Sequence, residues 1–265
     1  MGKAERILPA SVDHHGFQIP RHLAWRTGRL DRFREVSDEH IAHLEAFGGL
    51  GGARHVVEIG CGVGRDAIPL MRVLPDDGSY LGIDIIRGSI DWAGANIAAK
   101  DARFRFVHFD VADKQHNPGG SAGMETYEIP CADGSQDLVF LYSVFTHMFP
   151  GDVARYLAEF QRVLRPGGCV LASMFTMDRG LISYLQAIGG GGLRALTFSH
   201  EVEEGFFHND PEVVPGATAY SLDRLGAMVS KAGLAPERFV RGSWRKDGEF
   251  DVNGQDLVVL RKPAF

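Results

Sequence analysis

The sequence predicts an α/β protein with a doubly wound, mostly parallel sheet, and three observations carry that reading. β-branched apolar runs alternate with segments whose apolar residues recur at helical spacing. The runs end in polar or acidic residues, at Glu58-Ile59-Gly60, Asp84, Asp110 and Tyr142-Ser143. Ligands of open parallel sheets gather beyond the carboxyl ends of the strands, so these ends would share one edge. The first run also opens into Gly60-Cys61-Gly62-Val63-Gly64, a turn with glycine at every second place.

Taken in order, residues 1–30 mix Pro, Gly, His and Arg and read as an irregular arm with one short helix near His22–Thr27. Leu30, Phe33, Val36, Ile41, Leu44 and Phe47 suit a cap helix, ended by the glycines from Gly48 to Gly52. Val56, Val57 and Ile59 make the first strand, and a helix follows from Ala67 towards Leu74. Ser79–Asp84, Phe104–Phe109, Asp137–Tyr142 and Cys169–Phe175 are the next strands, separated by helices over Gly88–Lys100 and Gly151–Leu164. Lys114–Thr126 reads as a mobile loop and 178–217 as a lid or binding insertion, because forty residues of weak pattern interrupt the alternation. A helix over Leu222–Ala232 and strands over Phe239–Trp244 and Asp256–Arg261 finish the chain. The predicted division is therefore an arm and cap helix over 1–52 and one ligand-binding domain over 53–265.

Bulk numbers narrow the function. The 265 residues are 45% hydrophobic and 23% charged, with a net charge of −6. That acidity argues against a nucleic-acid partner, which needs a basic face. No apolar run approaches the ~18–20 residues of a membrane span, and the N-terminus lacks an apolar signal core. Cys61, Cys131 and Cys169 are too few and too scattered for a disulfide framework or a zinc site, so a reduced, cytoplasmic protein is expected. His200, Glu201, His208 and Asp210 have ligand-type side chains but no metal-site spacing, so no metal is expected.

The glycine turn separates two chemistries. A dinucleotide site uses G-x-G-x-x-G, with its pyrophosphate on the helix N-terminus. Here the pattern is E-x-G-x-G-x-G, from Glu58 to Gly64. Together with YLGIDI, FVHFDVAD, and DGSQDLVFLYSVFTHM followed by RVLRPGGCVLAS, it resembles the class I methyltransferases that use S-adenosylmethionine (SAM). The resemblance covers roughly Arg54–Lys262. It implies a seven-stranded Rossmann-like sheet with an antiparallel C-terminal strand, SAM as cofactor, and methyl transfer to a small molecule, oxygen being the first choice of acceptor atom. A protein or peptide methyltransferase and a SAM-binding protein without turnover stay open as alternatives.

The resemblance also assigns roles. Asp84 would accept the ribose hydroxyls, or else cap the helix that follows. Asp110 and the Val111 N–H would meet adenine, with Ile85 and Ile86 as flat apolar surface. Backbone groups at Gly60, Cys61 and Ser143 would receive the methionine end, Gly62 would belong to the same cofactor-binding turn, and Glu58 would act through the turn or the amine, or else tie down the N–H groups of the loop. His147, just beyond the fourth strand, is the candidate general base, since histidine titrates near neutral pH; a purely structural histidine is the alternative. Trp25, Phe198, Phe206 and Phe207 are candidates for an apolar acceptor wall, and Arg26 and Arg29 for a carboxylate contact.

Overall fold

The computed structural model describes residues 10–112, 117–121, 123, 127–192, 195–210, 212, 213 and 216–264. Much of the loop expected over Lys114–Thr126 therefore lies outside the described residues. The arm is more ordered than its composition suggests. β1 (Ser11–His14) and β2 (Phe17–Pro20) pair as a hairpin. His15 and Gly16 both take positive φ, 51° and 86°, the requirement of a two-residue turn that matches strand twist. α1 (Arg21–Thr27) follows, then α2 (Phe33–His43), which closes on a wider turn over Leu44–Gly48.

The main sheet begins with β3 (His55–Ile59). The helix expected to reach Leu74 is one turn, α3 (Ala67–Leu70), because Pro69 removes a donor from its centre. β4 (Ser79–Asp84), α4 (Arg87–Ala93), β5 (Phe104–His108), β6 (Gln136–Leu141), α5 (Pro150–Val163) and β7 (Leu164–Met174) complete the alternating half. The expected insertion is itself structured. β8 (Thr176–Met177), α6 (Arg179–Ile188), β9 (His200–Glu203), β10 (Phe206–His208) and β11 (Thr218–Ser221) build a four-stranded sheet in the order β8-β11-β10-β9. α7 (Leu222–Lys231), β12 (Ala235–Val240) and β13 (Asp256–Arg261) return to the main sheet. The strand expected over Phe239–Trp244 thus lies earlier in the chain.

The seven strands run β12-β13-β7-β6-β3-β4-β5. β5, β4, β3, β6 and β7 are mutually parallel, and β13 is antiparallel to both its neighbours. The chain moves outward from β3 through β4 to β5, then returns to β6 on the other side, so the switch point lies between β3 and β6. Alternate residues feed two cores. Val56, Leu138 and Phe140 pack with Leu23, Phe33 and Leu44 of the arm, whereas Val57, Val139 and Leu141 pack with Val153, Leu157 and Phe160 of α5. A third cluster, including Phe175, Leu185, Phe198 and Trp244, holds the small sheet in place.

Histidines make the arm sensitive to acid. Burial lowers the pKa of His14, His40 and His43 below the ordinary 6.5. Their neutral forms contribute stability that is complete above that value and lost as pH falls, because the unfolded chain takes up the protons more readily. The thermal midpoint should drop between about pH 7 and about pH 5.5. A flat midpoint over that range, read by circular dichroism, would count against neutral burial of these rings.

Candidate active site

At the switch point the chain leaves β3 through the glycine turn, and every amide of that turn is already spent. Gly60 and Cys61 donate to the Ile83 carbonyl at 2.8 and 3.1 Å, and Gly64 donates to Cys61 at 2.9 Å. Gly62 donates to Asp84 Oδ2 at 2.7 Å, and Val63 to Thr27 Oγ1 at 3.2 Å. Gly62 sits at φ +53°, and a Cβ there would lie 2.4 Å from Thr27 Oγ1. Glycine is thus required both by the backbone and by the arm lying on it. The other oxygen of Asp84 accepts the Ile86 N–H at 2.8 Å, so one carboxylate joins the turn after β3 to the loop after β4.

Below the turn lies a polar floor. Glu58 is 4% exposed and accepts the Tyr80 hydroxyl. Burial, with Asp66 and Asp84 nearby, pushes its carboxyl well above the usual range. Asp66 meets His40 Nδ1 at 2.6 Å and Arg65 Nε at 3.3 Å. Burial alone would raise its pKa, but His40 and Arg65 overcome that and hold it low. His40 also stacks on Tyr142, with centroids 3.4 Å apart and planes 6° from parallel. The Arg65 carbonyl accepts from Ser37 at 3.1 Å and contacts His14 Nε2 at 2.7 Å. These contacts clamp the arm to the floor. Burial raises the Cys61 thiol well above its usual value, which makes it unreactive.

Above this floor is a cavity of about 1390 Å³. Single ligands of drug size occupy about 300–1,000 Å³, so the space suits two substrates together. Glu58, Gly60, Cys61, Gly62, Asp84, Ile85, Val111, Ser143 and His147 all line it, with Ile86 and Phe109 beside them. Asp110 does not. Its carboxylate accepts from Ser121 Oγ at 2.6 Å and Asn117 Nδ2 at 3.2 Å, which hold its pKa low. Ser143 has φ +59°, a rare backbone for serine. Ser173 Oγ accepts its N–H at 2.8 Å and Gln255 Nε2 donates to its hydroxyl at 2.8 Å. His147 Nδ1 lies 2.7 Å from the Gly216 carbonyl. An N–H directed there leaves the neutral ring's lone pair on Nε2.

The structure brings in residues that the sequence did not single out. Thr27 is one, and Phe149, Asp152 and Tyr156 are others on the cavity wall. Trp25, Arg26 and Arg29 line it, whereas Phe198, Phe206 and Phe207 are buried elsewhere. The roof comes from the arm, since no described residue of 178–217 reaches the cavity wall. Among the described residues, no three His, Cys, Asp or Glu side chains gather to hold a metal, and no helix is long and apolar enough to cross a membrane.

This geometry separates the two glycine-turn chemistries. A pyrophosphate needs free backbone N–H groups, and this turn has none to give. A ligand with a nucleoside and an amino-acid end fits better, with Asp84 and the apolar Ile85, Ile86 and Phe109 on the cavity wall beside the turn. Residues 56–168 match the family model for a methyltransferase domain. That domain is of the class I S-adenosylmethionine-dependent type. Its cofactor is SAM.

Relatives of this methyltransferase differ in their acceptors. It is 28% identical over 140 residues to the tRNA N(3)-cytidine methyltransferase METTL2B of Homo sapiens, covering 52% of this chain and 34% of that one. The chain thus spans about a third of that relative's length. Identity is 29% over 179 residues to phthiotriol/phenolphthiotriol dimycocerosates methyltransferase 1 of Mycobacterium ulcerans, 63% of this chain and 57% of that one. The fold matches the Burkholderia thailandensis 1,6-didemethyltoxoflavin-N1-methyltransferase, a structure with bound 1,6-didemethyltoxoflavin and S-adenosylhomocysteine. There the TM-score is 0.51 at 19% identity, covering 87% of this chain and 78% of that one.

Asp84→Ala should weaken S-adenosylhomocysteine binding by about 1–3 kcal/mol, since it removes a charged acceptor and frees the turn. Titration calorimetry reads this directly, and an unchanged affinity would refute a cofactor role for Asp84.

Proposed function

We propose that this methyltransferase moves the SAM methyl group to an oxygen of a small-molecule acceptor by in-line displacement. The observation that carries the reading is His147 on the same cavity wall as Asp84 and the glycine turn, with its ring oriented by Gly216. A histidine so held is suited to taking the proton of a hydroxyl. When bound, the cofactor supplies a methyl group on a sulfonium, already a strong electrophile. The chain then has three tasks. Gly60, Cys61, Gly62, Asp84, Ile85, Val111 and Ser143 bind and orient the cofactor from the cavity wall. Glu58, which accepts the Tyr80 hydroxyl, supports the turn from beneath. The arm excludes water from above. Asp110 would reach adenine only by giving up its bonds to Ser121 and Asn117.

Positioning of this kind is worth about 7–11 kcal/mol, and a general base adds about 10²–10⁴-fold. The insertion over 178–217 is assigned an indirect role, because it bears on the site through Gly216 and through Phe206 and His208 packed around Phe149. The roofed cavity and the net charge of −6 support a small acceptor. Cys61, Cys131 and Cys169 are free thiols, which supports a cytoplasmic setting. The tRNA relative favours a second reading, an RNA acceptor. The overlap with it covers about half of this chain and a third of that enzyme, so it bears first on the cofactor domain.

The test is an acceptor screen with mass detection of a methylated product, run on phenols, alcohols, amines and total tRNA. His147→Ala should lower turnover by about 10²–10⁴-fold and leave S-adenosylhomocysteine affinity within about twofold. Wild-type turnover at every pH would make His147 structural. Methylation of tRNA alone would replace the small-molecule reading.

A further inference from the structure

The arginines that line the cavity are not all matched by acids among the described residues. Four arginines line it: Arg21, Arg26, Arg29 and Arg65. Arg29 is paired with Asp31, and Arg65 with Asp66. Arg21 and Arg26 have no ion-pair partner among the described residues, although both border the cavity. No described carboxylate meets either guanidinium, so both can face an anionic ligand.

Between those arginines on α1 stands Trp25, which is 70% exposed, and Phe149 on the cavity wall is 38% exposed. Exposed aromatic faces at a cavity mouth offer stacking surface to a flat ligand. A guanidinium beside them offers the paired N–H geometry that matches a carboxylate.

We propose that the acceptor is a planar aromatic molecule with a carboxylate, stacked on Trp25 and Phe149 and held by Arg21 and Arg26. This rests on the small-molecule reading above and adds the acceptor's charge and shape. The carboxylate pairs with the guanidinium groups, and a hydroxyl on the ring faces His147. RNA also combines flat bases with anions, but the chain's net charge of −6 opposes a long polyanion.

The test uses the full chain saturated with S-adenosylhomocysteine, with 3-hydroxybenzoate and its neutral amide, 3-hydroxybenzamide, as probes in calorimetry. The acid should bind about tenfold more tightly than the amide. In an Arg21→Met, Arg26→Met double variant the preference should vanish, with S-adenosylhomocysteine affinity within about twofold of wild type. An Arg26→Lys variant, which keeps the charge, should keep part of it. Equal binding of acid and amide, or no binding of the acid, would overturn the proposal. So would a tenfold loss of S-adenosylhomocysteine affinity in the double variant, which would give both arginines to the cofactor. Displacement of the acid by total tRNA at sub-stoichiometric amounts would overturn it in favour of RNA. Methyl transfer is scored separately by mass. A preference for the acid without transfer sustains this proposal and removes the oxygen-acceptor reading, whereas transfer without the preference does the reverse.

Discussion

The carboxylate of Asp84 holds the site together. One oxygen takes the Gly62 N–H and the other the Ile86 N–H, so the turns after two adjacent strands share one anion. Two amide donors satisfy both oxygens of this buried carboxylate. That bond fixes the glycine turn at a backbone angle only glycine tolerates easily, and the fixed turn in turn accepts Thr27 from the arm. The parallel sheet sets the spacing between the two strand ends, and the arm's position follows from the turn. Fold and site therefore depend on each other at one residue.

The N-terminal arm is half of the site and not an appendage. Its underside joins the floor through His40, Ser37 and His14, Thr27 at the end of α1 rests on the turn, and its outer face presents Trp25 and two arginines. One segment therefore touches the glycine turn and borders the cavity at the same time.

Much of this was legible in the sequence because parallel strands are buried on both faces and read as unbroken apolar runs. β3, β4, β5 and β6 fall within a residue of the predicted bounds, and the glycine turn announced the cofactor edge. The roof was far less legible. The β1–β2 hairpin turns on His15-Gly16, which lacks the Asn-Gly signal, and its register follows from packing against the sheet. Thr27 acts through a contact with Val63, thirty-six residues away in sequence, and no local pattern encodes that. Asp110 shows the opposite failure. A strand-end acid was visible, but the direction of its side chain was set by Ser121 and Asn117, later in the loop.

Ser143 stores strain at the cavity wall. A serine in left-handed backbone costs of order 1–3 kcal/mol, and here Ser173 on β7 holds its N–H while Gln255, just ahead of β13, holds its hydroxyl. Glycine would suit the backbone better but would give up the hydroxyl that Gln255 grips. Engineering for heat tolerance at this corner would therefore recast the cavity wall.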